Sequence, residues 1–185
     1  GGKIVNSALG VLCRQGPLAG SADWSHDGAG AANTGASQDT LVRAPMKRLW
    51  VDGANRWSKK LGAVRVAGGR LLVASDELHA MDAYTGRHVW QTPIGSGDKI
   101  VALGDAVFVP GGKSCQVLDP ATGKLRGELT LPEVGGGGKG YWSIIKAEGE
   151  AIYAASGNAV VCIDRKTGRA VWQHSCENLV VSMAV

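Results

Sequence analysis

Leu78-His79-Ala80-Met81-Asp82-Ala83-Tyr84-Thr85-Gly86-Arg87-His88-Val89-Trp90 is the stretch on which the fold turns. The run from His79 to Met81 reads as a short strand that stops at Asp82. Asp82 to Gly86, of the form Asp-x-x-Thr-Gly, is turn chemistry: Asp82 bonds its own backbone two residues on, and Gly86 takes a left-handed conformation. A second strand starts at once and carries Trp90, whose broad face is placed to pack on a neighbouring element. Two strands joined by a short Gly-containing loop make a β-hairpin.

The unit recurs. Val160-Val161-Cys162-Ile163-Asp164-Arg165-Lys166-Thr167-Gly168-Arg169-Ala170-Val171-Trp172 repeats it, and Cys115-Gln116-Val117-Leu118-Asp119-Pro120-Ala121-Thr122-Gly123-Lys124-Leu125-Arg126 repeats it again, with Gly127 where Trp is expected. The turn glycines 86, 123 and 168 are 37 and 45 residues apart, the size of a four-stranded propeller blade at ~40–50 residues. A Gly-x-x turn feeding an apolar strand precedes each hairpin, at Gly68-Gly69, Gly104-Asp105 and Gly149-Glu150, and Gly1-Gly2-Lys3-Ile4-Val5-Asn6 is a fourth copy. In that register Cys13 aligns with Ala80, Val117 and Cys162, so Cys13 and Cys162 read as buried core residues. The run Leu179-Val180-Val181-Ser182-Met183-Ala184 reads as a strand leading into a further turn of the same kind. The expected fold is all-β: about four repeats of an antiparallel four-stranded blade, part or half of a larger ring.

Composition agrees and narrows the function classes. The 28 glycines among 185 residues are spread along the chain, as many tight turns require. A disordered Gly-rich linker is excluded by the 44% hydrophobic content, which is organised in runs. The net charge of +4 is mild, and the pairs Lys59-Lys60 and Arg165-Lys166 are isolated, so nucleic acid is not an expected partner. No stretch reaches 18 consecutive apolar residues, so no membrane span is expected. The opening Gly1-Gly2-Lys3, without an initiator Met, reads as the inside of a longer protein or a processed piece. Four cysteines, Cys13, Cys115, Cys162 and Cys176, show neither CxxC nor CxxCH spacing, against zinc, c-type haem and thioredoxin chemistry. A Cys162–Cys176 disulfide stays open.

Residues 16–50 break the period and stretch the first spacing to 67 residues. Gly20 to Gly35 is rich in small and turn residues and carries Trp24, His26, Asp27 and Asn33 on its polar face. Two accounts compete: these side chains bond the loop's own backbone, or they line a pocket at the mouth of the ring's channel. Leu41-Val42-Arg43-Ala44-Pro45-Met46-Lys47-Arg48-Leu49-Trp50 then resumes a strand pattern.

With Ala80, Asp82, Thr85, Gly86 and Trp90 in place, and Asp119, Thr122, Gly123, Asp164, Thr167, Gly168 and Trp172 repeating the pattern, the chain resembles the pyrroloquinoline-quinone repeat family and its tryptophan-docking motif. Asp23-Trp24 through Asn33-Thr34, with Pro45 and Leu49-Trp50, is similar to the lead-in segment of large quinoprotein-like propellers of planctomycete-type bacteria. The resemblance implies a propeller, commonly eight-bladed in the dehydrogenases and the outer-membrane assembly lipoproteins, and a periplasmic or otherwise extracytoplasmic location. It divides the chain into 1–15 as the end of, or part of, a blade, 16–50 as an irregular segment, and 51–96, 97–133 and 134–185 as blades. Its partners are then the remaining blades of a parent protein, or a second copy of the chain, with a protein or small-molecule ligand.

In the quinone-dependent dehydrogenases the family pattern needs Ca²⁺ held by a carboxylate and an amide, a catalytic Asp, an adjacent cysteine pair and a Trp beneath the quinone. Adjacent cysteines are absent here, and Asp82, Asp119 and Asp164 are turn caps. Asp76-Glu77 reads as a solvated turn. His79, His88 and His174 form no metal-ligand spacing, Gly135–Gly138 with Lys139-Gly140 lacks the phosphate-loop pattern and reads as a flexible connection, and no nucleophile elbow occurs. The expectation is a non-catalytic scaffold or binding segment without a cofactor. The alternative is a fragment of a quinone-dependent dehydrogenase, with pyrroloquinoline quinone and Ca²⁺ bound only where blades outside this chain complete the site. Trp24, His26 and Asn33 are then the candidates nearest a cofactor.

Overall fold

The computed structural model describes residues 16–51, 61–95, 97–133 and 140–185, together with the backbone of β1 (Ile4–Asn6) and β2 (Leu12–Arg14). Those two short strands pair antiparallel, with Val5 opposite Cys13. The side chain of Cys13 and the Gly135–Gly138 connection lie outside the described residues.

Twelve further strands form three antiparallel four-stranded sheets, each in chain order. The first holds β3 (Val64–Ala67), β4 (Arg70–Ala74), β5 (Glu77–Asp82) and β6 (His88–Pro93). The second holds β7 (Val101–Ala102), β8 (Val107–Gly111), β9 (Ser114–Leu118) and β10 (Leu125–Thr130). The third holds β11 (Ile144–Glu148), β12 (Ala151–Ser156), β13 (Ala159–Asp164) and β14 (Ala170–Ser175). No helix occurs among the described residues, and the molecule is a β-propeller segment.

The last hairpin of each sheet has one register. Ala80 lies opposite Trp90, Val117 opposite Gly127 and Cys162 opposite Trp172. Beside each of these pairs the ladder slips once, a bulge that re-aims the returning strand.

The core sits between sheets. Val107 and Val109 of β8 join one buried cluster with Leu72, Leu78 and Trp90 of the first sheet. Phe108, between them, points the other way into a cluster with Ile145, Ile152 and Ile163 of the third sheet. This is the period of two of a strand buried on both faces. No sheet owns a core of its own, which is the condition that makes repeats depend on neighbours.

Two apolar runs that read as strands are not strands. Residues 41–50 have no ladder among the described residues, and Leu41, Val42, Met46 and Leu49 are exposed; Pro45 removes one backbone donor there. Residues 179–184 also lack a ladder, and the Val180 amide donates to the Gly157 carbonyl. Apolar patterning alone makes no strand without an adjacent backbone to pair with. Cys162 and Cys176 are free thiols, Cys162 being buried.

Candidate functional site

Three turns carry the hairpins, and one carboxylate oxygen organises each. Asp82 Oδ1 accepts from the Tyr84 and Thr85 amides at 3.1 and 2.9 Å and from the Thr85 hydroxyl at 2.9 Å. Asp119 Oδ1 takes the same three bonds at 2.8, 2.8 and 3.0 Å. Asp164 Oδ1 takes them at 3.2, 2.7 and 2.7 Å. The turn then closes through glycine: the amides of Gly86, Gly123 and Gly168 donate to the turn aspartate's carbonyl, and their φ angles of 71°, 70° and 70° lie where a Cβ is strained. The Arg126 guanidinium, bonded to the other oxygen of Asp119, holds that carboxyl down at about 2 with help from Thr122. Thr167 likewise lowers Asp164.

These glycines also receive a ring. The Trp90 indole lies on Gly123 so closely that a Cβ there would overlap Cε3 and Cδ2, and its Nε1–H donates to the Pro120 carbonyl at 3.1 Å. Trp90 is 8% exposed. Trp50 lies on Gly86 in the same way and donates to the Ala83 carbonyl at 3.0 Å. Each acceptor carbonyl belongs to the residue after the turn aspartate. At the third turn no indole is present among the described residues: Leu129 is the side chain that approaches Gly168. Trp172 lies at 6.2 Å, centroid to centroid, from the Tyr153 ring and is 46% exposed.

The irregular segment runs across the first strands of all three sheets. Trp24 bridges Val66 of β3 through two backbone bonds of 2.7 and 3.0 Å. The Ser25 carbonyl accepts from Ala102 of β7 at 2.9 Å. His26 is 1% exposed, and its Nε2 accepts the amide of Ala147 in β11 at 3.0 Å. That bond fixes the neutral tautomer with the proton on Nδ1, which donates to Ser25 Oγ at 2.7 Å. Burial first, then the nearby Lys146 ammonium, pushes His26 down to about 4.

Two buried cations flank this brace. Arg65 of β3 donates from Nε to the Ile100 carbonyl at 2.8 Å. Lys146 of β11 donates to the Asp27 carbonyl at 2.9 Å and to Asn33 Oδ1 at 3.2 Å. Burial lowers both, opposed by the charge of Asp27. With Asp27, Asn33, Asp98, Lys99 and Ser143 they border a cavity of about 310 Å³. No group of three or more His, Cys, Asp or Glu side chains is placed to hold a metal among the described residues.

A family model described as outer membrane protein assembly factor BamB, of the pyrroloquinoline-quinone repeat type, matches residues 14–184. The chain belongs to that family. Among solved structures, BamB from Moraxella catarrhalis is similar at 21% identity and a TM-score of 0.49, over 63% of this chain and 37% of that one. The Pan2 WD40 domain of Neurospora crassa is similar at 17% identity and a TM-score of 0.48, over 62% of this chain and 36% of that one. The chain thus spans little more than a third of the length of either. No curated protein matches it.

In this BamB-family segment the residues singled out from sequence fall into two separate places. Asp82, Asp119 and Asp164 with their threonines and glycines form the three hairpin turns, of which those at Asp119 and Asp164 lie at the seams between sheets. Trp24, His26 and Asn33 lie on the brace, and of these only Asn33 borders the cavity; Trp24 holds β3 through its backbone, and His26 holds β11. Three contributors escaped the sequence reading. Trp50 is the indole on the first turn, and the signal that marks it is its position 36 residues before a turn glycine, close to the 33 that separate Trp90 from Gly123. Arg65 and Lys146 sit within apolar strands, where no pattern announces a buried charge.

Proposed function

We propose that this segment is a non-catalytic propeller scaffold that binds protein through the outer faces and ends of its sheets. The observation that carries the reading is Trp172. It occupies the register of Trp90, yet it is half-exposed on β14, a strand whose residues are all exposed. A large aromatic ring on an uncovered strand is the surface that protein interfaces favour. Its counterpart is the turn of a following blade, supplied by the rest of a parent ring of eight or by a second copy of this chain. In this reading residues 51–96, 97–133 and 134–185 are blades, 1–15 is part of another, and 16–50 braces their first strands.

The family description supports an extracytoplasmic role in outer-membrane protein assembly. No helix among the described residues is long and apolar enough to cross a membrane. The test is native mass spectrometry of the chain with and without pyrroloquinoline quinone and Ca²⁺. A dimer without adduct supports the scaffold with a second copy as its partner. An unliganded monomer supports the scaffold with parent blades as its partner. A stoichiometric quinone adduct overturns the non-catalytic reading in favour of a dehydrogenase fragment.

A further inference from the structure

The Gly168 turn, at the seam between the second and third sheets, has a receiving surface for an indole and, among the described residues, no indole on it; Trp142, the indole buried in that seam, donates instead to the Lys113 carbonyl. Gly127 lies opposite Val117, in the register that sets Trp90 opposite Ala80. A Cβ on Gly127 would meet nothing within 4 Å. Across the seam the receiver is complete: Gly168 holds φ 70°, and the Asp164 turn makes the same bonds as the turns beneath Trp50 and Trp90. Those indoles donate to the carbonyls of Ala83 and Pro120. The corresponding carbonyl here is that of Arg165, and no hydrogen-bond donor among the described residues reaches it. Leu129, two residues along β10 and therefore on the same face, covers part of Gly168. Beside it an open cavity of about 450 Å³ remains, between Gly127, Leu129 and Thr130 on one wall and Lys166 to Gly168 on the other.

We propose that this cavity is a receptor for a tryptophan side chain presented by a partner protein. Two features select that occupant. The cavity continues the packed interface between the two sheets, and the equivalent place at both preceding turns is filled by an indole on glycine. The Arg165 carbonyl complements an indole N–H, one of the groups that anchor interface hot spots. The rim cations are already committed, Arg126 to Asp119, Arg165 to Asp105 and Lys166 to Glu150, so recognition is by shape and one hydrogen bond rather than by charge. A partner's ring would also shield an outer strand whose edge is otherwise open.

The inference deepens the protein-binding reading and rests on it. Its test is a nitrogen-15 NMR titration of the whole chain with N-acetyl-tryptophanamide, using N-acetyl-leucinamide as control. The expected result is saturable shifts at Thr167, Gly168 and Leu129 in the millimolar range with the indole alone. Gly127→Trp supplies the ring from within, so it should abolish those shifts and raise the melting temperature by roughly 2–4 °C. Gly127→Phe fills the same space and serves where the larger ring disturbs folding. Shifts that are absent, that the leucine amide reproduces, or that persist in a folded filling variant overturn the proposal. An indole response from a monomeric chain leaves the receptor standing and removes only a second copy as partner. A dimer that ignores indole removes the receptor alone.

Discussion

Trp90 and Trp172 are the same residue at the same register in two hairpins, so the difference between them isolates what a neighbouring turn contributes. Trp90 is 8% exposed, packed on Gly123 and bonded to Pro120. Truncating it removes a buried aromatic and leaves a cavity, so Trp90→Ala should cost roughly 3–5 kcal/mol in denaturant titration. A loss under about 1 kcal/mol would mean the ring contributes no packing across the seam. Trp172, 46% exposed, should cost less than about 1 kcal/mol when changed to Ala in the same chain, since little surface returns to water. Equal losses at the two positions would contradict their difference in exposure. The glycine beneath the ring is equally constrained. Gly123→Ala places a methyl into the indole and a Cβ at φ 70°, so it should destabilise by more than the ordinary ~1 kcal/mol of a glycine exchange in a regular element. Gly127→Ala, with open space around it, should be close to neutral by the same measurement.

At the scale of elements, the brace formed by residues 24–33 ties three sheets together, and its anchor is a neutral histidine. Lys146 on β11 and Arg65 on β3 are the charges that act on His26, and Asp27 on the brace acts in turn on those two cations. Its folded pKa of about 4 lies below the ordinary 6.5. The unfolded chain therefore takes up a proton near 6.5 while the folded chain resists until about 4. Stability from this group is fully present above pH 6.5, falls as pH drops through that window, and levels off below 4, a change on the order of 3 kcal/mol. Urea titrations at pH 7, 5 and 4 should show that decline, and His26→Gln should flatten it; an unchanged slope in the variant would assign the acid sensitivity elsewhere. Asp119 acts in the same direction but lower, losing its contribution only as pH falls from 3.8 toward 2, so the two windows separate. Sequence carried the hairpins well, because an Asp-x-x-Thr-Gly turn is local chemistry: the oxygen, the amides and the glycine φ all lie within five residues. It carried the brace poorly. The partner of His26 is 121 residues away, and no local pattern encodes a bond to Ala147. The same reason accounts for 41–50 and 179–184, which have the apolar content of strands but form no ladder among the described residues.

Across the whole molecule, the two hydrophobic clusters each belong to a pair of sheets, so stability here accrues at seams rather than within sheets. The first turn is covered by Trp50 on Gly86, the seam between the first and second sheets is pinned by Trp90 on Gly123, and at the next seam Gly168 is met, among the described residues, by Leu129 alone. Beyond it, β14 presents an exposed outer strand with Val171 and Trp172 uncovered. Uncovered apolar surface next to an unpaired strand edge favours association, because pairing covers the ring and satisfies the backbone together. The chain alone should therefore self-associate as its concentration rises, with β14 in the contact. Trp172→Lys puts a solvated charge where the ring would be buried and should shift sedimentation toward monomer, while the urea midpoint of the monomer moves by less than about 1 kcal/mol equivalent. If the variant associates as readily as the parent chain, the contact lies on another face and β14 is not the strand that a neighbouring blade covers. If association and monomer stability fall together, Trp172 is part of a core within the chain, contrary to its exposure.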